Sequence, residues 1–285
     1  MPMKRELHIV LKALTYIFAI IGFVFTVVFF GMQHGLFNVR GSIAERNAFF
    51  GNQPTKEITI YTPPCINQQT ICDWNQTPEW QVVKGGLQKD SAVIAKVSSE
   101  TGVPARMIAS VVVPEQTRFF TANREVFKRY FEPLKILGSL SQFSLGISGI
   151  KQETANSIEK NIADRTSPLY PGTDFSSLIT YTNPANHDAE LYNRLTDAKD
   201  HYYQYLYTAL FIKEIEEEWS TAGFPIDQNP GVVVTLFNLG FQASHPNATP
   251  LVGGSTITTG GKDITYGELG ATFYYSDELV NQFTK

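Results

Sequence analysis

Met107, Ile108, Val111 and Val112 recur at helical spacing, and Glu115 continues their stripe, four positions after Val111 and three after Val112. A carboxylate on an apolar helix face meets one of a few fates. Left without a partner it is desolvated, which raises its pKa and suits it to give up a proton near neutrality. Otherwise it lies at a solvated helix end, or pairs with a cation such as Arg118 or Arg106. Pro114 stands immediately before it, so the helix is expected to bend or end at the carboxylate.

Other chemistry-bearing residues are sparse. Cys65 and Cys72 flank the polar stretch Ile66-Asn67-Gln68-Gln69-Thr70-Ile71, a spacing that suits a small disulfide clip in an oxidising compartment. No Cys or His lies near to complete a tetrahedral set there, and His187, His201 and His245 lack ligand spacing, so neither metal nor cofactor is expected. The acidic run Glu214, Glu216, Glu217, Glu218 reads as a solvated helix face. Tyr202, Tyr203, Tyr205 and Tyr207 are spread around a helix axis, with some of them in the core.

From Ala13 to Met32 no side chain is charged, and about 20 apolar residues suffice to cross a bilayer as a helix. Lys4, Arg5 and Lys12 precede the run and Arg40 is the first basic residue after it, which orients the N-terminus to the cytoplasm. The alternative is a cleaved signal peptide, but its core is usually only about 7 to 15 residues and ends in a small-residue site that is missing here. The chain is thus expected as a single-pass membrane protein whose globular part is periplasmic or extracellular. Net charge is −4 with no Lys/Arg stripe, which argues against nucleic acid as a partner.

Three segments follow from these patterns: residues 1–32 as cytoplasmic tip and anchor, 33–85 as a Pro- and Asn-containing stalk, and 86–285 as one mainly α domain. Within it, a helix from Leu87 stops at Gly102 and a second starts after Pro104. A helix spans Gln152 to Ile162, and a long loop from Arg165 to Asp188 is a candidate functional rim. The longest helix is expected from Leu191 to about Trp219. Pro230 to Gly240 reads as a buried helix, with strand as the alternative, and a Gly/Thr-rich loop at Gly253 to Lys262 leads to a last helix from Tyr266 to Phe283.

In this order, three pieces resemble the lysozyme-like lytic transglycosylase family, within the superfamily of soluble lytic transglycosylases and goose-type lysozymes. They are Ala109-Ser110-Val111-Val112-Val113-Pro114-Glu115-Gln116-Thr117-Arg118-Phe119, Ser144-Leu145-Gly146-Ile147-Ser148-Gly149-Ile150-Lys151-Gln152-Glu153-Thr154-Ala155, and Leu236-Phe237-Asn238-Leu239-Gly240. They are similar to the family's helix-ending Glu, its Gly-Leu-Met-Gln segment before Thr-Ala, and its Ala-Tyr-Asn-x-Gly. The resemblance implies a lysozyme-like helical domain behind a single N-terminal transmembrane helix, acting on the glycan strands of peptidoglycan.

It further implies that Glu115 is the catalytic acid and base, cutting the bond between N-acetylmuramyl and N-acetylglucosaminyl units to leave 1,6-anhydro ends. Ser144, Gly146 and Ile147 would line the glycan groove with backbone, or form an ordinary tight loop. Phe237 and Asn238 would meet substrate, Asn238 otherwise capping its helix beside Gly240. Tyr266 would stand near the site or in the core. The chain departs from the family at Gly149, where a Gln is usual, and at Phe237, where a Tyr is usual. The intervals from Glu115 to Gly146 and from Ala155 to Asn238 are also longer than is usual. A non-catalytic wall-binding or scaffold protein with the same fold, or a goose-type hydrolase, are the alternatives.

Overall fold

The computed structural model describes residues 58–67, 72–118, 146–240 and 245–284, the backbone of 119 and 120, and scattered positions between 12 and 27. Those scattered positions are helical and exposed. Among the described residues no helix is long and apolar enough to cross a membrane, and much of the expected anchor from Ala13 to Met32 lies outside them.

The domain is mainly helical. In chain order come α1 (Pro78–Lys89), α2 (Ser91–Thr101), α3 (Ala105–Phe120), α4 (Gln152–Ala163), α5 (His187–Thr196), α6 (Tyr202–Thr221), α7 (Pro230–Leu239), β1 (Thr256–Thr259), β2 (Lys262–Thr265) and α8 (Tyr266–Tyr275). Local chemistry explains their ends. Thr77 accepts from the Trp80 N–H with Pro78 in the first turn of α1, while Gly102, at φ 75°, closes α2 by donating to Ser98 O. Thr265 and Glu268 form a reciprocal capping box on α8.

Every residue of α7 is buried, so packing decides its helicity against the β-branched content of Val232, Val233 and Val234. It lies beside α8, which in turn lies on α3. Two glycines permit that approach: a Cβ on Gly267 would sit 2.0 Å from Thr235 Oγ1, and one on Gly270 would sit 2.8 Å from Ser110 O. α6 is buried from Gln204 to Ile212 and packs on α2, α3 and α7. Arg106, fully buried in α3, donates to the carbonyls of Phe273, Tyr274, Ser276, Glu278 and Phe283 at 2.6–3.1 Å. One guanidinium thereby fastens the end of α8 and the turns after it to α3.

Several expectations are corrected. The expected single helix from Leu191 to Trp219 is two, broken at 197–201, where Asp197 accepts from the N–H groups of Lys199 and Asp200, and Asp200 from that of Tyr202. Gly253 to Lys262 is partly a hairpin: β1 pairs antiparallel with β2 in the register Thr256↔Thr265, and the turn glycines Gly260 and Gly261 have φ of 58° and 76°. The last helix stops at Tyr275. Residues placed in the stalk belong to the domain, since Trp74, Trp80 and Val83 are core residues. Thr59 reaches the far end of the domain, its N–H on Ala248 O and its carbonyl on Asn229 Nδ2. Cys65 and Cys72 are joined in a disulfide.

Candidate active site at Glu115

α3 continues through Pro114 to Phe120, so the helix does not end at the carboxylate as the proline suggested. Glu115 is 3% exposed. One turn on, Arg118 Nη2 lies 2.8 Å from its Oε1 and 2.7 Å from its Oε2, and the Tyr266 hydroxyl stands 3.3 Å from Oε2 and 3.1 Å from Val111 O. The cation-paired alternative is therefore the observed one. Burial raises the proton affinity of a carboxylate and a contacting guanidinium lowers it, so Arg118 works against the desolvation expected of the stripe.

A turn covers the other side of the carboxylate. Gly149 has φ 67°, and a Cβ there would lie 2.3 Å from Glu115 Oε1 and 2.6 Å from its Cδ. Only glycine fits both that backbone and that space. The glycine at 149 is thus the feature that lets backbone close over Glu115. Gly146, at φ 64°, is equally constrained, with Gln204 Oε1 and Leu195 O each 2.4 Å from where a Cβ would stand. The Ile147 N–H donates to Gln204 Oε1 at 2.8 Å, the Ile147 carbonyl accepts from Gln116 Nε2, and Gln204 Nε2 donates to Asp197 O.

Asn238 is 9% exposed, and its Oδ1 accepts from the Ser255 N–H at 2.8 Å, close enough to Gly254 that a Cβ there would lie 2.9 Å away. It fastens the loop before β1 to α7, next to the Tyr266 Cβ. The end of α7 is closed instead by the Gly240 N–H on Leu236 O. Phe237 packs edge-on against Phe211, ring centroids 5.1 Å apart, and contributes to the core. Ser144 lies outside the described residues.

Glu115, Gly146, Ile147 and Tyr266 are therefore gathered at one place, with Asn238 behind Tyr266 and Phe237 turned into the core. Sequence reasoning missed Gln116 and Gln204, the two amides that hold the turn. Gln204 carried a signal, a polar residue at the start of the otherwise apolar and aromatic stretch Tyr205-Leu206-Tyr207. Arg118 was named only as an alternative partner.

A second buried carboxylate was not anticipated. Glu214 is fully buried in α6, where the neutral Asn161 amide faces it, and burial pushes its pKa up to about 7 against the lowering effect of that amide. Glu217 and Glu218 are partly exposed, so the solvated face holds for them and fails for Glu214, while Glu216, also partly exposed, has its pKa raised to about 7 by burial. Of the histidines, His187 pairs with Glu159 at 2.8 Å and His201 with Asp90 at 2.6 Å. Tyr205 and Tyr207 are core residues, whereas Tyr202 and Tyr203 lie at its edge. Comparisons of the chain with protein-family models, with curated proteins and with solved structures find no match.

Proposed function

We propose that the domain is a peptidoglycan lytic transglycosylase with Glu115 as its single acid and base, held at the membrane by the run from Ala13 to Met32 with its N-terminus cytoplasmic. The supporting observation is convergence. Segments far apart in sequence, the α3 stripe, the Gly146–Gly149 turn and the start of α8, meet on one carboxylate. In the proposed reaction the protonated carboxyl of Glu115 gives its proton to the glycosidic oxygen. The carboxylate then takes the proton of the C6 hydroxyl of the same N-acetylmuramyl unit, which closes the 1,6-anhydro ring without water.

The resting pairing supports a role for Arg118 in the second half of that cycle. A guanidinium stabilises the ionised form, so it must withdraw for Glu115 to hold a proton and return once the proton has left. Tyr266 positions Oε2 through its hydroxyl.

One observation favours a second reading, a glycan-binding protein without catalysis: the carboxylate is nearly closed from solvent and already ion-paired. Incubating the full chain in detergent with purified peptidoglycan separates the two. Release of anhydro-muropeptides, absent in Glu115→Gln, is the expected result; binding without release supports the second reading, and reducing-end fragments a hydrolase. A mature protein found soluble and lacking residues 1–32 would overturn the anchor while leaving the chemistry at Glu115 untouched.

A further inference from the structure

A cavity of about 270 Å³ lies beyond α8 from Glu115, between the Cys65–Cys72 clip and the β hairpin. α8 presents its two sides to two different places. Tyr266 meets Glu115, while Glu268 and Thr272, which line the cavity, follow Tyr266 at roughly 200° and 240° around a 3.6-residue helix. The cavity is therefore separate from the site already described.

Its walls hold donors and acceptors together. Trp74, 6% exposed, belongs to the apolar wall, its indole nitrogen being itself closed off from the cavity. Donors come from Lys262, which is paired with Asp73 at the rim. On the accepting side, Glu268 gives Oε2 to the Thr265 cap at 2.8–3.0 Å, while its Oε1 meets the Tyr61 hydroxyl only at 3.4 Å. Asp263 receives the Thr258 hydroxyl on Oδ1 and extends from the exposed hairpin.

Charge and hydrogen-bond inventory narrow the ligand class. Phosphate or carboxylate ligands require donors and would face Asp73, Asp263 and Glu268, while an ammonium ligand would meet the Lys262 cation and leave its donors unused. A ring bearing hydroxyls at its edge and C–H groups on its face uses both kinds of group against an otherwise apolar wall. We propose that this cavity binds one or two saccharide units as an accessory site. Its size, just under the roughly 300 Å³ at which pockets for larger ligands begin, sets that limit. The proposal deepens the glycan reading given above, yet binding here does not require that Glu115 cleave anything.

The test is titration calorimetry of the full chain in detergent with tri-N-acetylchitotriose, alongside N-acetyl-lysine methylamide as an ammonium probe. Saturable saccharide binding is expected, kept in Glu115→Gln and weakened tenfold or more in the Tyr61→Phe/Asp263→Asn double variant, with thermal midpoint unchanged. Lys262→Ala, on the exposed hairpin, reads the same loss without touching the core should the double variant prove unstable. No saturable binding at millimolar saccharide overturns the proposal. So does binding that is lost in Glu115→Gln but kept in the cavity variants, or tighter binding of the ammonium probe. Failure of the cleavage reading registers separately, as unaltered muropeptide release by Glu115→Gln.

Discussion

Glu115 and Glu214 are both buried glutamates on helices of one core, and their surroundings are opposite. Glu115 has a guanidinium at 2.7 Å and a tyrosine hydroxyl at 3.3 Å, whereas Glu214 on α6 faces the neutral amide of Asn161 and has its pKa pushed by burial up to about 7. Burial alone therefore does not mark a reactive carboxyl. A glutamate whose pKa is raised to about 7 by burial is not the one on which separate segments of the chain converge. What distinguishes Glu115 is the company that reaches it, including a turn that could not carry any residue but glycine at position 149.

The sharpest test of the comparison is activity. Glu115→Gln is expected to lower anhydro-muropeptide release by about 10²–10⁴-fold, the usual worth of a general acid or base, whereas Glu214→Gln is expected to leave it unchanged. Equal losses would erase the distinction. Next, Arg118→Ala removes the cation facing a buried carboxylate, which typically costs about 3–5 kcal/mol in chemical denaturation at pH 7, and part of that should return at low pH as Glu115 protonates.

Glu214 should respond with the opposite sign. Its folded-state pKa, about 7, lies above the ordinary 4.5, so the folded protein holds a proton that the unfolded chain gives up. The stability it contributes is complete below about pH 4.5 and is lost as pH rises through 7. Glu214→Gln should therefore stabilise the protein above pH 8, by up to about 3 kcal/mol, and flatten the melting temperature between pH 5 and 8. Glu216, also raised to about 7 by burial, leaves a residual slope of the same sign in that variant. A variant with an unchanged pH profile would place the charge of Glu214 in contact with water. Smallest of all, Tyr266→Phe deletes the hydroxyl at Glu115 Oε2 and should cost about 1 kcal/mol of stability together with a modest loss of release.

The sequence carried most helices because their signals are local. Gly102 and Pro104 punctuate α2 and α3, and Pro230 and Gly240 bracket α7. The hairpin was legible too, in Thr-Ile-Thr-Thr before Gly260-Gly261 and Lys-Asp-Ile-Thr after, but its Gly and Thr were weighed as loop composition rather than as paired strands around a turn. The break between α5 and α6 was hidden because apolar periodicity runs across 197–201, and only the side chains of Asp197 and Asp200 interrupt the backbone there.

At the site, the carboxylate is legible because it continues an apolar stripe, whereas Tyr266 follows only from the resemblance, which implies a Tyr at the start of the last helix. What could not be read was the closure of the Gly146–Gly149 turn, which depends on Gln204 from a helix more than fifty residues later. Glu214 was misplaced for a related reason. The middle of α6 is surrounded on all sides, so position around the helix no longer separates core from solvent.

Arg106 imposes a schedule on the making of this protein. Its five carbonyl partners follow it by 167 to 177 residues, and the hydroxyl that reaches Glu115 follows that carboxylate by 151. At about 5–20 residues per second of synthesis, the guanidinium waits on the order of ten to thirty seconds before anything exists to receive it. Until then α3 can lie against α1 and α2 but lacks α8, and Glu115 lacks Tyr266. With the proposed anchor, the chain would carry Glu115 unassembled through translocation and complete its surroundings only after α8 has emerged on the far side.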